Sequence, residues 1–258
     1  YLNGTLAESK TGAGNLLSIL NSSLIDSPKA TVVGFVTTQA FDEVKFTINQ
    51  TVGLNVGTTE VYGLVLEKFC AGPANLPCNQ VRRLSGDVYP AVIQSERTGT
   101  TGIALGSVRD AENVVSNDAN DYASIKLPLG IAATGSISVH DVLTDYPAGN
   151  YAGFVVESTT LLNLNILGST TIRTYLNGNL QETQSGSNLI ISASLLPDTS
   201  RQTIGFVTTL PYDEIQFTIS QTLGLNLDTT KVYAAVMKRH CASFPIQCNV
   251  PAVLVEPL

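Results

Sequence analysis

Apolar and polar residues alternate over several short runs of this chain. Val44, Phe46 and Ile48 interleave with Lys45, Thr47 and Asn49, and Ile215, Phe217 and Ile219 interleave with Gln216, Thr218 and Ser220. A period of two is that of a β-strand with one buried and one solvated face. The middle of the chain follows the same rule: Ala123, Ile125, Leu127 and Leu129 alternate with Ser124, Lys126 and Pro128, and Ile137 and Val139 with Ser138 and His140. No long segment has the 3.6-residue period of an amphipathic helix. Short strands separated by Gly, Pro, Asn and Asp turns predict an all-β fold of two packed antiparallel sheets, a β-sandwich.

The pattern is also duplicated. From Gly34 to Cys70 the chain reads GFVTTQAFDEVKFTINQTVGLNVGTTEVYGLVLEKFC, and from Gly205 to Cys241 it reads GFVTTLPYDEIQFTISQTLGLNLDTTKVYAAVMKRHC, with 21 of 37 positions identical and no gap. Upstream of each copy stands the same tetrapeptide, Tyr1-Leu2-Asn3-Gly4 and Tyr175-Leu176-Asn177-Gly178. Repetition at a fixed distance is the mark of stacked or serial units. In the second copy, residues 170–176 read as a strand entering an Asn-Gly turn, a strong hairpin signal. On this reading Tyr1 falls in mid-strand. The expected organisation is a back half of one sandwich unit over residues 1–83, a linker over 84–94, and a complete unit over 95–258 whose own back half is 175–258. The front half of the first unit is then either missing from the sequence or supplied by another chain.

Composition narrows the function classes. Hydrophobic residues make up 43% and charged residues only 14%, with a formal charge of -7. No cluster of Lys and Arg offers a phosphate-binding surface, so no nucleic-acid partner is expected. No apolar run reaches the ~20 residues of a spanning helix, so no membrane insertion is expected. The four cysteines fall in two close pairs, Cys70 with Cys78 and Cys241 with Cys248. Two local disulfides are the natural expectation, each worth roughly 2–3 kcal/mol on the chain-entropy model, and oxidised cysteines imply an extracellular or cell-surface location. Metal binding by these pairs has weaker support, because His240 has Phe69 at its place in the other copy.

The order of AENVVSNDANDYASI at 111–125, GSISV at 135–139, YPAGNYAGFVV at 146–156, and then FDEV or YDEI leading to Val-Tyr and Cys, resembles a known family. It is similar to the galactose-binding-like, discoidin-type β-sandwich modules repeated along large secreted surface proteins of Bacteroidetes. The resemblance covers residues 95–258 and the first back-half copy. It implies a jelly-roll sandwich, export to the cell surface, and a role in adhesion, display or carbohydrate contact. In that family a loop near the front of the domain can hold calcium, which here points to Asp118, Asn120 and Asp121 as oxygen ligands. Ser116 stands where the family has Asp, and an Asn/Asp-rich turn capped by its own side chains is the competing account.

Catalytic chemistry finds little footing. His140 and His240 are the two histidines around which a Ser-His-Asp triad would have to form. The recurring pairs Asp42-Glu43 and Asp213-Glu214 are adjacent on a strand, so their side chains point to opposite faces and do not converge on one bond. A turn entering the strand explains them better. Carbohydrate binding is the serious rival to a structural role. The chain has no Trp but nine Tyr, and sugar sites favour exposed aromatic faces beside hydrogen-bonding groups. Tyr89, Tyr122, Tyr146 and Tyr151 are the candidates, with Tyr146 and Tyr151 the pair whose replacement tests the idea. The expected function is a non-catalytic extracellular repeat module for cell-surface adhesion or filament building. Its partners are neighbouring copies of the same protein or surface glycans, and the alternative is a calcium-dependent carbohydrate-binding module.

Overall fold

The structure is a computed structural model. It describes residues 1–11, 17–19, 32–49, 58–73, 76–86, 88–102, 106–127, 132–157, 167–193, 201–221 and 229–241, with backbone alone at 17–19 and 192–193. Among these residues the fold is all-β, with strands in two antiparallel sheets. The first sheet runs, in spatial order, β11 (Asn179–Ser185), β10 (Thr170–Leu176), β14 (Glu214–Gln221), β8 (Ala133–Asp141), β4 (Ala91–Ile93), β1 (Leu17–Ile19) and β2 (Val32–Gly34), with β5 (Gly99–Gly102) also on β8. The second runs β12 (Ile190–Ala193), β13 (Arg201–Val207), β9 (Asn150–Glu157), β15 (Thr230–Arg239), β7 (Ala123–Lys126) and β6 (Ser107–Arg109), with β3 (Val81–Arg83) also on β15.

The alternation in the sequence becomes the core between the sheets. Ile137 and Val139 of β8 and Ile215, Phe217 and Ile219 of β14 face Ala152, Phe154 and Val156 of β9 and Ala235 and Met237 of β15 in one buried cluster. Phe154 and Phe217 meet across it with ring centroids 5.8 Å apart. Each large apolar side chain removed from water in this way contributes about 1.5–3 kcal/mol.

The polar face of β14 and β8 is not wet, contrary to the expectation from alternation. Ser138 and Gln216 are buried where a 3-10 turn over Ser95–Arg97 and the following Thr98 bond them, and Thr218 is buried with its hydroxyl against Ser136 Oγ and Arg173. The Ser138 amide donates to Thr98 Oγ1 at 2.9 Å, and Gln216 Nε2 donates to the Arg97 carbonyl at 2.9 Å. Residues 84–94, expected as a linker, instead enter the sandwich. Leu84 is buried, its amide donates to the Ala235 carbonyl, and β4 is buried along its length and pairs with β8.

The two sequence copies begin with the same hairpin. Leu17 pairs with Gly34 and Ile19 with Val32, and in the second copy Ile190 pairs with Gly205 and Ser192 with Thr203. From there the copies diverge. Strands β13, β14 and β15 are packed into the sheets, whereas the described residues of the first copy aligned with β14 and β15 form no strand and are mostly exposed: Val44 is 48% accessible, Phe46 57% and Leu66 69%.

The cysteine pairing also departs from expectation. Cys78 is bonded to Cys241, 163 residues away, in place of two local bridges. Strand pairing explains it. β3 lies antiparallel to the end of β15, with Val81 opposite Lys238, and the Asn79 amide donates to the Arg239 carbonyl at 2.7 Å, which sets Cys78 beside Cys241. Cys70 is exposed and unbridged among the described residues, and Cys248 lies outside them.

Candidate functional site

The recurring acidic pair does two different jobs. Its first member closes a turn. Asn177 and Gly178 both have positive φ, 50° and 78°, the geometry of the tight hairpin turn that Asn-Gly favours. Asp213 latches it: the Asn177 amide donates to Asp213 Oδ2 at 2.7 Å, and the Asp213 amide donates to the Tyr175 carbonyl at 2.9 Å. Nearby, Glu182 accepts from the amides of Thr209 and Leu210. The first copy repeats the whole device. Asn3 and Gly4 have φ of 49° and 75°, the Asn3 amide donates to Asp42 at 2.9 Å, and Glu8 accepts from the Thr38 amide at 3.0 Å. That last bond holds the Glu8 carboxyl below its ordinary range.

The second member of the pair enters a buried ionic cluster in the second copy. Glu214 accepts from Ser138 Oγ at 2.5 Å and from Arg97 at 3.2 Å. Arg97 in turn donates to the Gly178 carbonyl at 2.7 Å and stacks on the Tyr175 ring at 4.3 Å. Burial pushes the Glu214 carboxyl up to about 7, although Ser138 and Arg97 act against it. Beside it, His140 Nε2 lies 3.8 Å from Asp213. Burial lowers the His140 pKa and raises that of Asp213. Asp141 accepts from the Tyr146 hydroxyl at 2.6 Å and from the amides of Leu143 and Thr144.

This cluster has the residue types of a catalytic site and the accessibility of a core. Ser138, Asp141, Asp213 and Glu214 are all buried, and the hydroxyl of Ser138 is given to Glu214 and not to His140. What the arrangement does is tie β8, β14, the Asn177-Gly178 turn and the 95–97 turn together. His240 stands apart, next to the disulfide-bonded Cys241. In the first copy Asp42 and Glu43 are exposed.

The loop read as a calcium site is held by two arginines. Arg83 donates to the carbonyls of Ser116, Asn117 and Asp118 at 3.3, 3.4 and 3.0 Å. Arg201 donates to the Ala119 carbonyl at 2.8 Å and to Asn120 Oδ1 at 3.3 Å. Asp118 accepts from the Asn120 amide, and Asp121 accepts from Ser116 Oγ. All three expected ligands, Asp118, Asn120 and Asp121, are therefore engaged within the protein. Among the described residues no three His, Cys, Asp or Glu side chains gather where they could hold a metal ion.

The tyrosine platform is corrected. Tyr146 is 3% accessible and packs on Tyr212 at 5.4 Å, and Tyr151 is 5% accessible in the second small core of β9 and β15. Neither ring offers a face to a sugar. Tyr151 is buried because β9 is covered on both faces, and Tyr146, ahead of β9, is buried by its bridge to Tyr212 and its hydroxyl bond to Asp141. Tyr89 is buried as well, and Tyr122 alone of the four is exposed, at 40%. Its ring lies 5.4 Å from that of Tyr233 and 5.0 Å from the Lys231 ammonium. Lys231 and the Tyr233 hydroxyl both bond Glu157, at 2.7 and 2.5 Å. Sequence reasoning missed this grouping, because Lys231, Tyr233 and Glu157 come together only through the pairing of β9 with β15.

No family model matches this sequence, and no curated protein matches it. Among solved structures, the chain is similar to the family 32 carbohydrate-binding module of C. perfringens NanJ in complex with galactose, at 14% identity and a TM-score of 0.31 over 59% of this chain and 98% of that one. It is also similar to CBM32-3 from a family 31 glycoside hydrolase of Clostridium perfringens, at 17% identity and a TM-score of 0.29 over 55% and 91%. A mutant of the family 29 carbohydrate-binding module CBM29-2 gives 15% identity and a TM-score of 0.30 over 57% and 84%. At these scores the fold assignment rests on the strand topology itself.

Proposed function

We propose that this chain is a non-catalytic, extracellular module of a tandem β-sandwich array, serving adhesion or filament building at a cell surface. The observation that carries this is the cross-linking of its two repeat copies. The second cysteine of the first copy is bonded to the first cysteine of the second copy, and β3 of the first copy extends the sheet of the second. A covalent bridge between successive copies suits a protein that transmits force along its length, since neighbour contacts set the stability of a serial repeat. Residues 1–83 as the back half of one unit and 95–258 as a complete one remain the proposed division, with 84–94 built into the second. Intact mass and negative-stain microscopy of material from its source test the proposal. Ordered filaments or a multi-unit parent support it, and a monomer of 258 residues that never assembles overturns it.

Glycan binding is the second reading, and the exposed Tyr122 ring beside Lys231 favours it, because an aromatic face next to a hydrogen-bond donor is what a sugar ring needs. Galactose and a glycan array are the probes. Binding that disappears in Tyr122→Ala establishes this reading, and an array without signal removes it. Calcium enters either reading through residues 116–121, where it has to displace Arg83 and Arg201 from the loop.

A further inference from the structure

Three cations that stand far apart in the chain come together on the outer face of the second sheet. On β7, Ala123 and Ile125 are buried in the core, so Ser124 and Lys126 point outward, with Tyr122 just ahead of the strand on the same side. Val108 of β6 and Val232 of β15 also pack on that core, which turns Arg109 and Lys231 outward. Ser124 has Arg109 opposite it on one edge of β7 and Lys231 opposite it on the other. Neighbouring strands lie about 4.8 Å apart and alternate residues of one strand about 6.7 Å apart, so Arg109, Lys126 and Lys231 surround Ser124.

Like charges this close on a sheet face repel one another, and little opposes them. Lys231 is bonded to Glu157 at 2.7 Å, but Glu157 also accepts from the Tyr233 hydroxyl at 2.5 Å. Arg109 and Lys126 are exposed, and neither has an ion pair or a side-chain hydrogen bond among the described residues. Asp110 follows Arg109 in the chain but makes no ion pair with it. The unspent hydrogen-bonding capacity around Ser124 is therefore that of donors: a guanidinium, an ammonium and the remaining N–H groups of Lys231. Beside them stands the Tyr122 ring, 40% accessible and 5.0 Å from the Lys231 ammonium. An apolar ring face next to unpaired cations is complementary to a sugar that carries a negative charge, and a guanidinium presents the paired N–H groups that a carboxylate takes up.

We infer that the outer face around Ser124 binds an acidic sugar, a carboxylate-bearing residue of a glycan chain, with its ring on Tyr122 and its carboxylate over Ser124 between Arg109, Lys126 and Lys231. The inference rests on the glycan-binding reading of Tyr122 and narrows it from sugars in general to anionic ones. It also reverses the local sign in a chain whose formal charge is -7. No basic run marks the site in the sequence, because its cations are drawn from β6, β7 and β15 and meet only through strand pairing.

Titration calorimetry of the full chain with tri-galacturonic acid and with galactotriose, its neutral counterpart of the same length, tests it. The acidic trimer is expected to bind about 10-fold tighter or more at low salt, the sum of three exposed charge contacts, and to lose that margin in about 0.5 M salt. The double replacement Arg109→Gln with Lys126→Gln should bring the acidic trimer to the affinity of the neutral one and leave the neutral one unchanged. Tyr122→Ala should abolish the binding of both. All three positions are exposed, so circular dichroism of these variants is expected to match that of the original chain. Equal or tighter binding of the neutral trimer, or indifference of the acidic trimer to the double replacement, overturns the inference and leaves the Tyr122 reading standing. Oligothymidylate that binds as tightly as the acidic trimer and survives Tyr122→Ala marks a general anion surface and overturns it too. Binding of neither trimer overturns the inference, and silence across a whole glycan array removes the Tyr122 reading with it.

Discussion

Cutting the bridge between Cys78 and Cys241 separates this fold from the one that local cysteine pairs would give. The loop closed is 163 residues in sequence. The chain-entropy model gives a stabilisation of about 5 kcal/mol for such a loop, twice the roughly 2.5 kcal/mol of an eight-residue loop. The bridge is laid over strand pairing of its own, since β3 pairs with β15 and Asn79 bonds the Arg239 and Cys241 backbone. The double replacement Cys78→Ser with Cys241→Ser is therefore expected to keep the β signature in circular dichroism and to lose stability. Urea unfolding of the two proteins, with and without reductant, measures the loss. Reductant should lower the wild-type midpoint to that of the double variant and leave the variant itself little changed. A difference below about 1 kcal/mol, set against the loop-closure figure, would refute the reasoning. Peptide mapping under non-reducing conditions that recovers Cys70 with Cys78 and Cys241 with Cys248 would refute it outright.

Four further outcomes are expected. The Glu214 carboxyl stands at about 7 in the fold against 4.5 when free, so the folded state binds the extra proton. Its contribution is fully present below pH 4.5 and is lost as pH rises through 7, up to about 3 kcal/mol. Glu214→Gln should flatten that slope in a series of unfolding curves from pH 4 to 8, and an unchanged slope contradicts the assignment. Tyr146→Phe removes the bond to Asp141 and should cost about 2 kcal/mol by denaturant unfolding, whereas Tyr122→Ala should cost under about 1 kcal/mol. Gly205→Ala should unfold or severely destabilise the protein while Gly34→Ala stays within about 0.5 kcal/mol of wild type, read by thermal melts, because the first site is closed by β9 and no described residue lies within 4 Å of the added Cβ at the second. Because Arg83 and Arg201 already satisfy the 116–121 loop, EDTA should leave the unfolding midpoint unmoved, and a calcium-dependent rise in the midpoint would contradict this.

Local pattern carried much of this fold, and long-range pairing carried the rest. The strand character of 215–219, 123–127 and 137–139 follows from a period of two, and the hairpin at Asn177-Gly178 follows from turn chemistry. The solvent exposure of the alternate face did not follow, because the segment that covers Gln216 and Ser138 comes from residues 95–98. Spacing in sequence favoured local cysteine pairs, yet which cysteine meets which is decided by β3 lying beside β15. The short run Ala91–Ile93 is too brief for a period to be read, so its burial beside β8 was hidden within an apparent linker. The burial of the tyrosines is long-range for a related reason, since Tyr151 lies in a strand covered on both faces and Tyr146 is bridged to Tyr212, 66 residues on. The Asp-Glu pair was legible as a turn element but not as the centre of an ionic cluster, whose Arg97 partner is 117 residues away.

Two copies of one sequence share a turn and differ beyond it, since residues 214–221 form a buried strand while residues 44–48 form none and are exposed. Hydrogen exchange of the intact 258-residue chain, read by mass spectrometry over 44–48 and 215–219, tests it most directly. The account predicts slow exchange in Ile215–Ile219, held between β8 and β10, and fast exchange in Val44–Ile48. Equal protection of the two segments would contradict it.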